Sequence, residues 1–555
     1  MRLSGTRQKR SANLLWFQCG AWARYNTRLP DLVNLILMAT PTATILEAAQ
    51  LPTLIRALLT DPACYDHAVG QVRLIETHIS WVLLTGEAAY KIKKPVDFGF
   101  LDFSTLTLRK QACVNEVRLN RRLAAEMYLG VVAISGSQEA PRINGQGRAI
   151  EYAVKMRQFP FDATLDRLDE RGKLFKEQID QLAARLARFH LNECPHASAE
   201  SVWGEPDTIA KSVTENLQLL AERLNSPETR RSLAELQSWC DAEHVRLTPI
   251  MHERKRSGMI RECHGDLHLG NLAWVEGQLL IFDCIEFDPA LRWIDVISEV
   301  AFCFMDLLHR QHTGLAMRFL NAWLETSGDY QGVALLRYYA VYRALVRAKV
   351  AALRTSQPGG GDTLGAEACS YLLLAERLTQ YMPTQLWITH GLTGSGKTTF
   401  SQTLLQDFGM IRLRSDVERK RLAGLAAMAR SAAKIGQGLY TLESGRRTYV
   451  HMSQLADRLL ATGWPVIVDA ACLERWQRDL FRAVAQQHVV RFQILDIQAD
   501  TATLRKRVRL RATEGKDASE ADIRVLQHQI NLAQPLDTDE LRDVIRMSGS
   551  TALNT

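Results

Sequence analysis

Eight consecutive residues, Gly391-Leu392-Thr393-Gly394-Ser395-Gly396-Lys397-Thr398, constrain this chain more than any other stretch. The glycines let successive backbone N–H groups converge on an anion. Lys397 reaches the same oxygens, and the Thr398 hydroxyl can serve a divalent cation. Such a loop works only between a buried strand and the N-terminus of a helix. Leu386–Thr389 reads as the strand and Lys397–Leu405 as the helix. Val466-Ile467-Val468-Asp469 is a second buried strand ending in an acid, placed to meet a metal-bound water. Strands alternating with helices imply a parallel sheet, so the C-terminal part is expected to be an α/β domain.

About 125 residues earlier lies a different pattern. His264-Gly265-Asp266-Leu267-His268-Leu269-Gly270-Asn271 is followed, after an expected hairpin around Glu276-Gly277, by Ile281-Phe282-Asp283. Phosphoryl transfer needs a carboxylate near the acceptor hydroxyl and ligands for the metal that neutralises the phosphates. Asp266 has the position of that carboxylate. Asn271 and Asp283 have the order and spacing of the two metal ligands. His264 and His268 are expected to brace the loop. Upstream, Ala89-Tyr90-Lys91 places a lysine on a strand, and Glu116 on the following helix can orient it. Lys93 and Lys94 are rival phosphate lysines, and Glu116 could instead face solvent.

The surrounding pattern is strand (Trp81–Leu84), turn (Thr85-Gly86-Glu87), strand (Ala88–Lys93), helix (Leu106–Leu129) and strand (Ala149–Met156). Helical periodicity then dominates residues 172–380, including Lys176–His190, Pro206–Leu224, Leu291–Leu308 and Leu335–Leu353. Pro358-Gly359-Gly360-Gly361 reads as a loop between two late helices. The chain is expected to divide into a basic extension (1–37), a first domain (38–381) and a second (382–555), with a boundary near Met382-Pro383. Within the first domain, a small lobe covers about 64–158 and a large lobe about 159–381.

From about Cys64 to Ala375 the chain resembles the aminoglycoside phosphotransferase family, whose fold is kinase-like and two-lobed. Glu286-Phe287-Asp288-Pro289, Arg292-Trp293-Ile294-Asp295, Glu76-Thr77-His78-Ile79-Ser80 and Tyr90-Lys91-Ile92-Lys93-Lys94-Pro95 resemble one tandem subgroup. These are the bifunctional aminoglycoside phosphotransferase/ATP-binding proteins, and the likeness covers about nine tenths of the chain. It implies an α+β protein-kinase-like domain followed by an α/β P-loop domain, both using ATP and Mg2+. Lys91 and Glu116 would bind ATP in the first. Gly391, Gly394, Ser395, Gly396, Lys397, Thr398 and Thr399 would bind it in the second. Thr398 and Asp469 would serve the second metal, as Asn271 and Asp283 serve the first. Similarity to small P-loop kinases makes Asp416, in Arg414-Ser415-Asp416, the second catalytic carboxylate beside Asp266; the alternative is a helix N-cap. The run Arg505–Arg511 could be a nucleic-acid patch, yet Arg507 and Arg511 share one helical face. The resemblance makes them lid arginines over the phosphates.

A polycationic acceptor would need an acidic pocket. The one acid-rich stretch, Asp162, Asp166, Asp169 and Glu170, is interleaved with Arg167 and Arg171 and reads better as a solvated helix start. The net charge of +7 sits mostly in residues 1–37, which carry six bases and one acid. The near-neutral remainder argues against nucleic acid as a partner. No apolar run approaches the roughly 20 residues that span a bilayer. Ten cysteines without Cys-x-x-Cys pairs suit a reducing cytoplasm. The expected acceptors are small hydroxylated molecules. The alternatives are a kinase whose P-loop domain is a regulatory ATP switch, or a nucleic-acid end kinase.

Overall fold

The computed structural model describes residues 51–548 except 78, 98–100, 225, 355–361, 430–440 and 515–517. The expected loop at Pro358–Gly361 and the basic extension 1–37 therefore lie outside the described residues.

The small lobe is a six-stranded antiparallel sheet in the order β1-β2-β3-β6-β4-β5. Its strands are β1 (Arg73–Glu76), β2 (Ser80–Leu84), β3 (Ala88–Lys93), β4 (Tyr128–Gly136), β5 (Pro141–Ile143) and β6 (Ala149–Arg157). A helix α1 (Thr53–Thr60) packs on it, and α2 (Leu106–Ala124) crosses between β3 and β4. The β2–β3 turn is closed by Thr85 N–H donating to Ala88 O at 2.9 Å. Every residue of β3 is buried, so its two lysines need internal partners.

The helix expected to run to Leu129 stops at Ala124. Arg121 turns back from its last turn and donates through Nε to Tyr128 O at 2.8 Å. Beyond it the β-branched Val131, Val132 and Ile134 pair with β6 as a strand. The sheet had a vacant place for those residues that local periodicity could not reveal.

The large lobe is helical: α3 (Leu165–Glu170), α4 (Lys176–Arg188), α5 (Pro206–Arg223), α6 (Pro227–Arg256), α7 (Pro289–Arg292), α8 (Val296–His309), α9 (Thr313–Ser327), α10 (Val333–Arg354) and α11 (Asp362–Thr379). Two short strand pairs interrupt it, β7 (Ile260–Glu262) with β10 (Trp293–Asp295) and the hairpin β8 (Leu272–Val275) with β9 (Gln278–Ile281). The helix expected over 291–308 thus begins only at Val296. Residues 293–295 are held by β7, and Asp295 caps the helix by accepting from Ile297 N–H at 3.0 Å.

Residues 380–384 join α11 to a five-stranded parallel sheet in the order β12-β13-β11-β14-β15. Its strands are β11 (Gln385–His390), β12 (Ile411–Arg414), β13 (Val466–Asp469), β14 (Arg491–Gln498) and β15 (Val544–Ser548). The helices of this domain are α12 (Lys397–Phe408), α13 (Ser415–Leu422), α14 (Leu442–Ala461), α15 (Arg475–Gln487), α16 (Thr501–Glu514) and α17 (Ile523–Leu532). β13 is fully buried, as the central strands of a parallel sheet are. The apolar core is continuous across the junction: Leu320 and Trp323 of α9 belong to the same buried cluster as Leu386, Ile388 and Met410. Among the described residues no helix is long and apolar enough to cross a membrane.

Candidate active sites

In the first domain, the short turn after β7 and the hairpin β8–β9 bring Asp266, Asn271 and Asp283 together. Asn271 Nδ2 donates to Asp266 O at 2.9 Å and to its Oδ2 at 3.1 Å. His268 Nδ1 accepts from Gly270 N–H, which leaves Nε2 as the protonated nitrogen, 3.4 Å from Asp266 Oδ2. His264 Nδ1 likewise accepts from Asp266 N–H while Nε2 donates to Phe282 O at 2.7 Å. Both histidines brace the loop. Burial would raise the Asp266 carboxyl, but His268, Arg347 and His264 outweigh it and hold the group below the usual carboxylate range. Asp266 is therefore ionised and can accept a proton.

Lys91 on β3 pairs with Glu116 on α2 at 3.0 Å and with Asp283. Lys91, Glu116 and Asp283 thus meet in one place. The two rival lysines are committed elsewhere. Lys94 pairs with Glu76, while Lys93 is fully buried between Glu116 and Glu286. Burial pushes the Glu286 carboxyl up even with Lys93 beside it. Lys93→Met leaves two buried acids sharing only Lys91, and is expected to cost about 3–5 kcal/mol, the range for breaking a buried pair. Denaturant unfolding measures it, and a loss under about 1 kcal/mol would mean that the two glutamates are already neutral.

Three of the four acids of 162–170 are held in ion pairs, while Asp166 accepts from the neighbouring Arg167 N–H at 2.8 Å. Asp162 pairs with Arg171, Glu170 with Arg167, and Asp169 with Arg310 and His312.

The second site surrounds a cavity of about 840 Å3 lined by Gly394, Gly396, Lys397, Thr398, Thr399, Asp416, Asp469, Arg507 and Arg511, among others. Gly391 has φ 146°, and a Cβ there would lie 2.5 Å from Ile497 O, so the loop clears the end of β14 only as glycine. Gly391 and Ser395 build the loop without lining the cavity themselves; Ser395 Oγ is buried with no hydrogen-bond partner. Lys397 Nζ donates to Gly391 O and Leu392 O, and burial pushes its pKa down. A buried ammonium at the N-terminus of α12, in a cavity that Arg507 and Arg511 also line, suits the phosphates of a nucleotide. The oxygens of Thr398 and Asp469 are of the kind Mg2+ prefers, as are those of Asn271 and Asp283.

Arg507 donates to Gly394 O and Ser395 O at 3.4 Å, and Arg511 to Thr393 Oγ1 at 2.9 Å. Arg505, Lys506 and Arg509 point outward, so the basic run divides by face. Asp416 makes no N-cap: the N-cap position of α13 is Arg414, without a side-chain cap bond. Asp416 instead faces the cavity, paired with Arg419 at 3.1 Å. Burial is outweighed by Arg419, Ser519, Arg414 and Arg511, which keep it below the usual carboxylate range.

Residues 164–336 match the phosphotransferase enzyme family, and residues 386–536 match an AAA domain. Uncharacterized proteins of Mycobacterium tuberculosis and Mycobacterium bovis are 30% identical over 437 residues, spanning 77% of this chain and 86% of theirs. The chain belongs to their family, a phosphotransferase domain followed by a P-loop domain. Among solved structures, a choline/ethanolamine kinase family protein from Mesorhizobium loti matches with a TM-score of 0.36 and 10% identity, covering 63% of this chain and 94% of that one. A gluconokinase from Sinorhizobium meliloti matches with a TM-score of 0.22 and 17% identity, covering 31% and 87%. Neither likeness carries a substrate to this chain.

Sequence reasoning missed the acids that hold the 264–271 loop. Glu299 Oε1 accepts from the N–H groups of His264 and Gly265, and Asp306 Oδ2 from Leu269 N–H. The signal was present: two acids seven apart in the otherwise apolar α8 must share one face. Glu299 also meets His190 Nε2 at 2.7 Å, and Trp323 Nε1 donates to His190 Nδ1. His190, Cys263 and Glu299 could by position hold a metal, but the His190 nitrogens and the Glu299 oxygens are already committed to the brace.

Proposed function

We propose that this tandem phosphotransferase uses two ATP sites, each moving the γ-phosphoryl group to a hydroxyl of a small molecule. The observation that carries the reading is that Lys91 pairs with Glu116 and Asp283 close enough to the bonded pair Asp266–Asn271 for the charge of Asp266 to act on Asp283. Bound ATP·Mg2+ would supply the phosphoryl group and neutralise its charge. Lys91 would hold the phosphates and Asn271 and Asp283 the metal, while Asp266 accepts the proton of the attacking hydroxyl. In the second domain Lys397, Arg507 and Arg511 would hold phosphates, Thr398 and Asp469 the metal, and Asp416 the acceptor proton. A cytoplasmic setting belongs to the same reading, supported by nine described cysteines that are all unpaired.

The test is γ-labelled ATP offered to the full chain with panels of anionic, neutral and cationic hydroxyl compounds. Label should pass to at least one class, and ATP consumption with no labelled acceptor from any panel would sink the proposal. A regulatory role for the P-loop domain is the second reading, favoured by the core that runs unbroken from α9 into the parallel sheet.

A further inference from the structure

The phosphotransferase domain extends a carboxylate into the neighbourhood of the second site. Glu325, in the last turn of α9, accepts through Oε1 from Arg412 Nε at 2.8 Å and Nη2 at 2.6 Å, and through Oε2 from Arg414 Nη1 at 3.2 Å. Residues two apart on a strand share a face, so β12 presents both guanidiniums to this one acid. Each arginine then continues toward the metal side of the P-loop. Arg414 lines the cavity, with Nε 3.7 Å from Asp469 Oδ2. Arg412 Nη1 donates to Ser401 Oγ at 3.3 Å and to Thr398 O at 3.5 Å, and Ser401 Oγ donates to Asp469 Oδ2 at 3.2 Å.

The joint is built to hold this position. Asn321, one turn earlier on α9, donates to Met410 O and accepts from Arg412 N–H. Arg421 of α13 donates to Glu325 O at 2.6 Å. It lies over Gly328, which ends α9 at φ 76° and where a Cβ would come 2.6 Å from Arg421 Nε. Tyr330 OH donates to the fully buried Glu418 on α13. Burial would raise Glu325, but Arg412 and Arg414 prevail and keep it ionised.

We propose that Glu325 is a positioning residue of the P-loop site supplied by the other domain: it shares the Arg414 guanidinium with Asp469 and so keeps Asp469 available to a metal. A guanidinium and a divalent cation compete for the same carboxylate. With Glu325 neutral, Arg414 is shared by one acid fewer: Asp469, 3.7 Å away, and Asp416, which it also acidifies, take more of its charge, and metal entry at Asp469 is opposed. The inference rests on the reading that this domain binds Mg·ATP.

The experiment is a Mg2+ titration of fluorescent ATP binding to the full chain, with the first site silenced by Asp283→Ala. Glu325→Gln in that background should raise the Mg2+ needed for half-maximal binding by about 10–100-fold, the usual effect of losing a residue that orients a metal ligand. Metal-free nucleotide binding should stay unchanged. Adding Arg414→Gln should bring the Mg2+ requirement back toward that of the background, a rescue that a purely structural role for Glu325 would not give. Arg414→Gln alone should lower the requirement, which keeps the idea testable if Glu325→Gln fails to fold. Equal loss of binding with and without Mg2+, no rescue, or a requirement raised by Arg414→Gln alone would each overturn it. Mg2+-dependent binding that ignores Glu325→Gln removes the inference alone. Absence of Mg2+-dependent binding before any change at Glu325 removes the reading of the domain as well.

Discussion

Asp266→Asn should abolish phosphoryl transfer at the first site while leaving ATP bound. The substitution keeps the size and most of the polarity of the side chain, so the hydrogen bond from Asn271 Nδ2 can persist with the amide oxygen as acceptor. The loop itself hangs on groups the change does not touch, namely Glu299 and Asp306. What is lost is the negative charge that His268, Arg347 and His264 stabilise. A neutral amide cannot take the acceptor proton, and transfer should fall by roughly 10²–10⁴, the range for losing a general base. Asp283→Ala should behave in the opposite way, weakening metal-nucleotide binding and freeing Lys91 from one of its two acids. The assay needs the second site silent, which Lys397→Ala provides. Transfer within a few-fold of the parent in Asp266→Asn would remove Asp266 from the mechanism.

The two sites were legible to different depths because chemistry imposes local spacing and packing does not. A P-loop must be contiguous, so Gly391–Thr398 announces a strand, a helix and a parallel sheet together. The 264–271 loop and Asp283 are separated only by a hairpin, and that hairpin is where it was expected. The choice among Lys91, Lys93 and Lys94 was not legible. All three lie on or beside one strand, and only the partners brought by α2 and by Asp283 and Glu286 distinguish them. β4 was hidden for a related reason: Tyr128–Gly136 follows a helical stretch without a break in periodicity, and its strand state depends on β6. Glu325 was the least visible of all. It stands 87 residues before Arg412, in a different domain, and nothing in its local sequence distinguishes it from a solvent-facing helix acid.

The second large effect separates an enzyme from a switch in the P-loop domain. Lys397→Ala should disable the site under either reading, since both need the phosphates held, so it does not discriminate. Asp416→Asn does. Asp416 is placed in the cavity by the first turn of α13, with Arg419 at 3.1 Å and without a role in capping that helix. The amide keeps the size of the side chain and an oxygen that can still accept from Arg419. If this domain transfers a phosphoryl group, the carboxylate is the proton acceptor and turnover should drop by roughly 10²–10⁴ with ATP affinity retained. If ATP binding here only biases the phosphotransferase domain through α9, Asp416→Asn should leave both ATP affinity and first-site activity as they were, since that route runs through Glu325, Arg412 and Arg414. The decisive measurement is acceptor-dependent transfer in an Asp266→Asn background, where only the second site can act. Transfer that survives Asp416→Asn removes Asp416 as the base. A chain with Asp416 intact that binds ATP tightly at Lys397, yet shows no transfer to any acceptor in that background, makes the P-loop domain the switch.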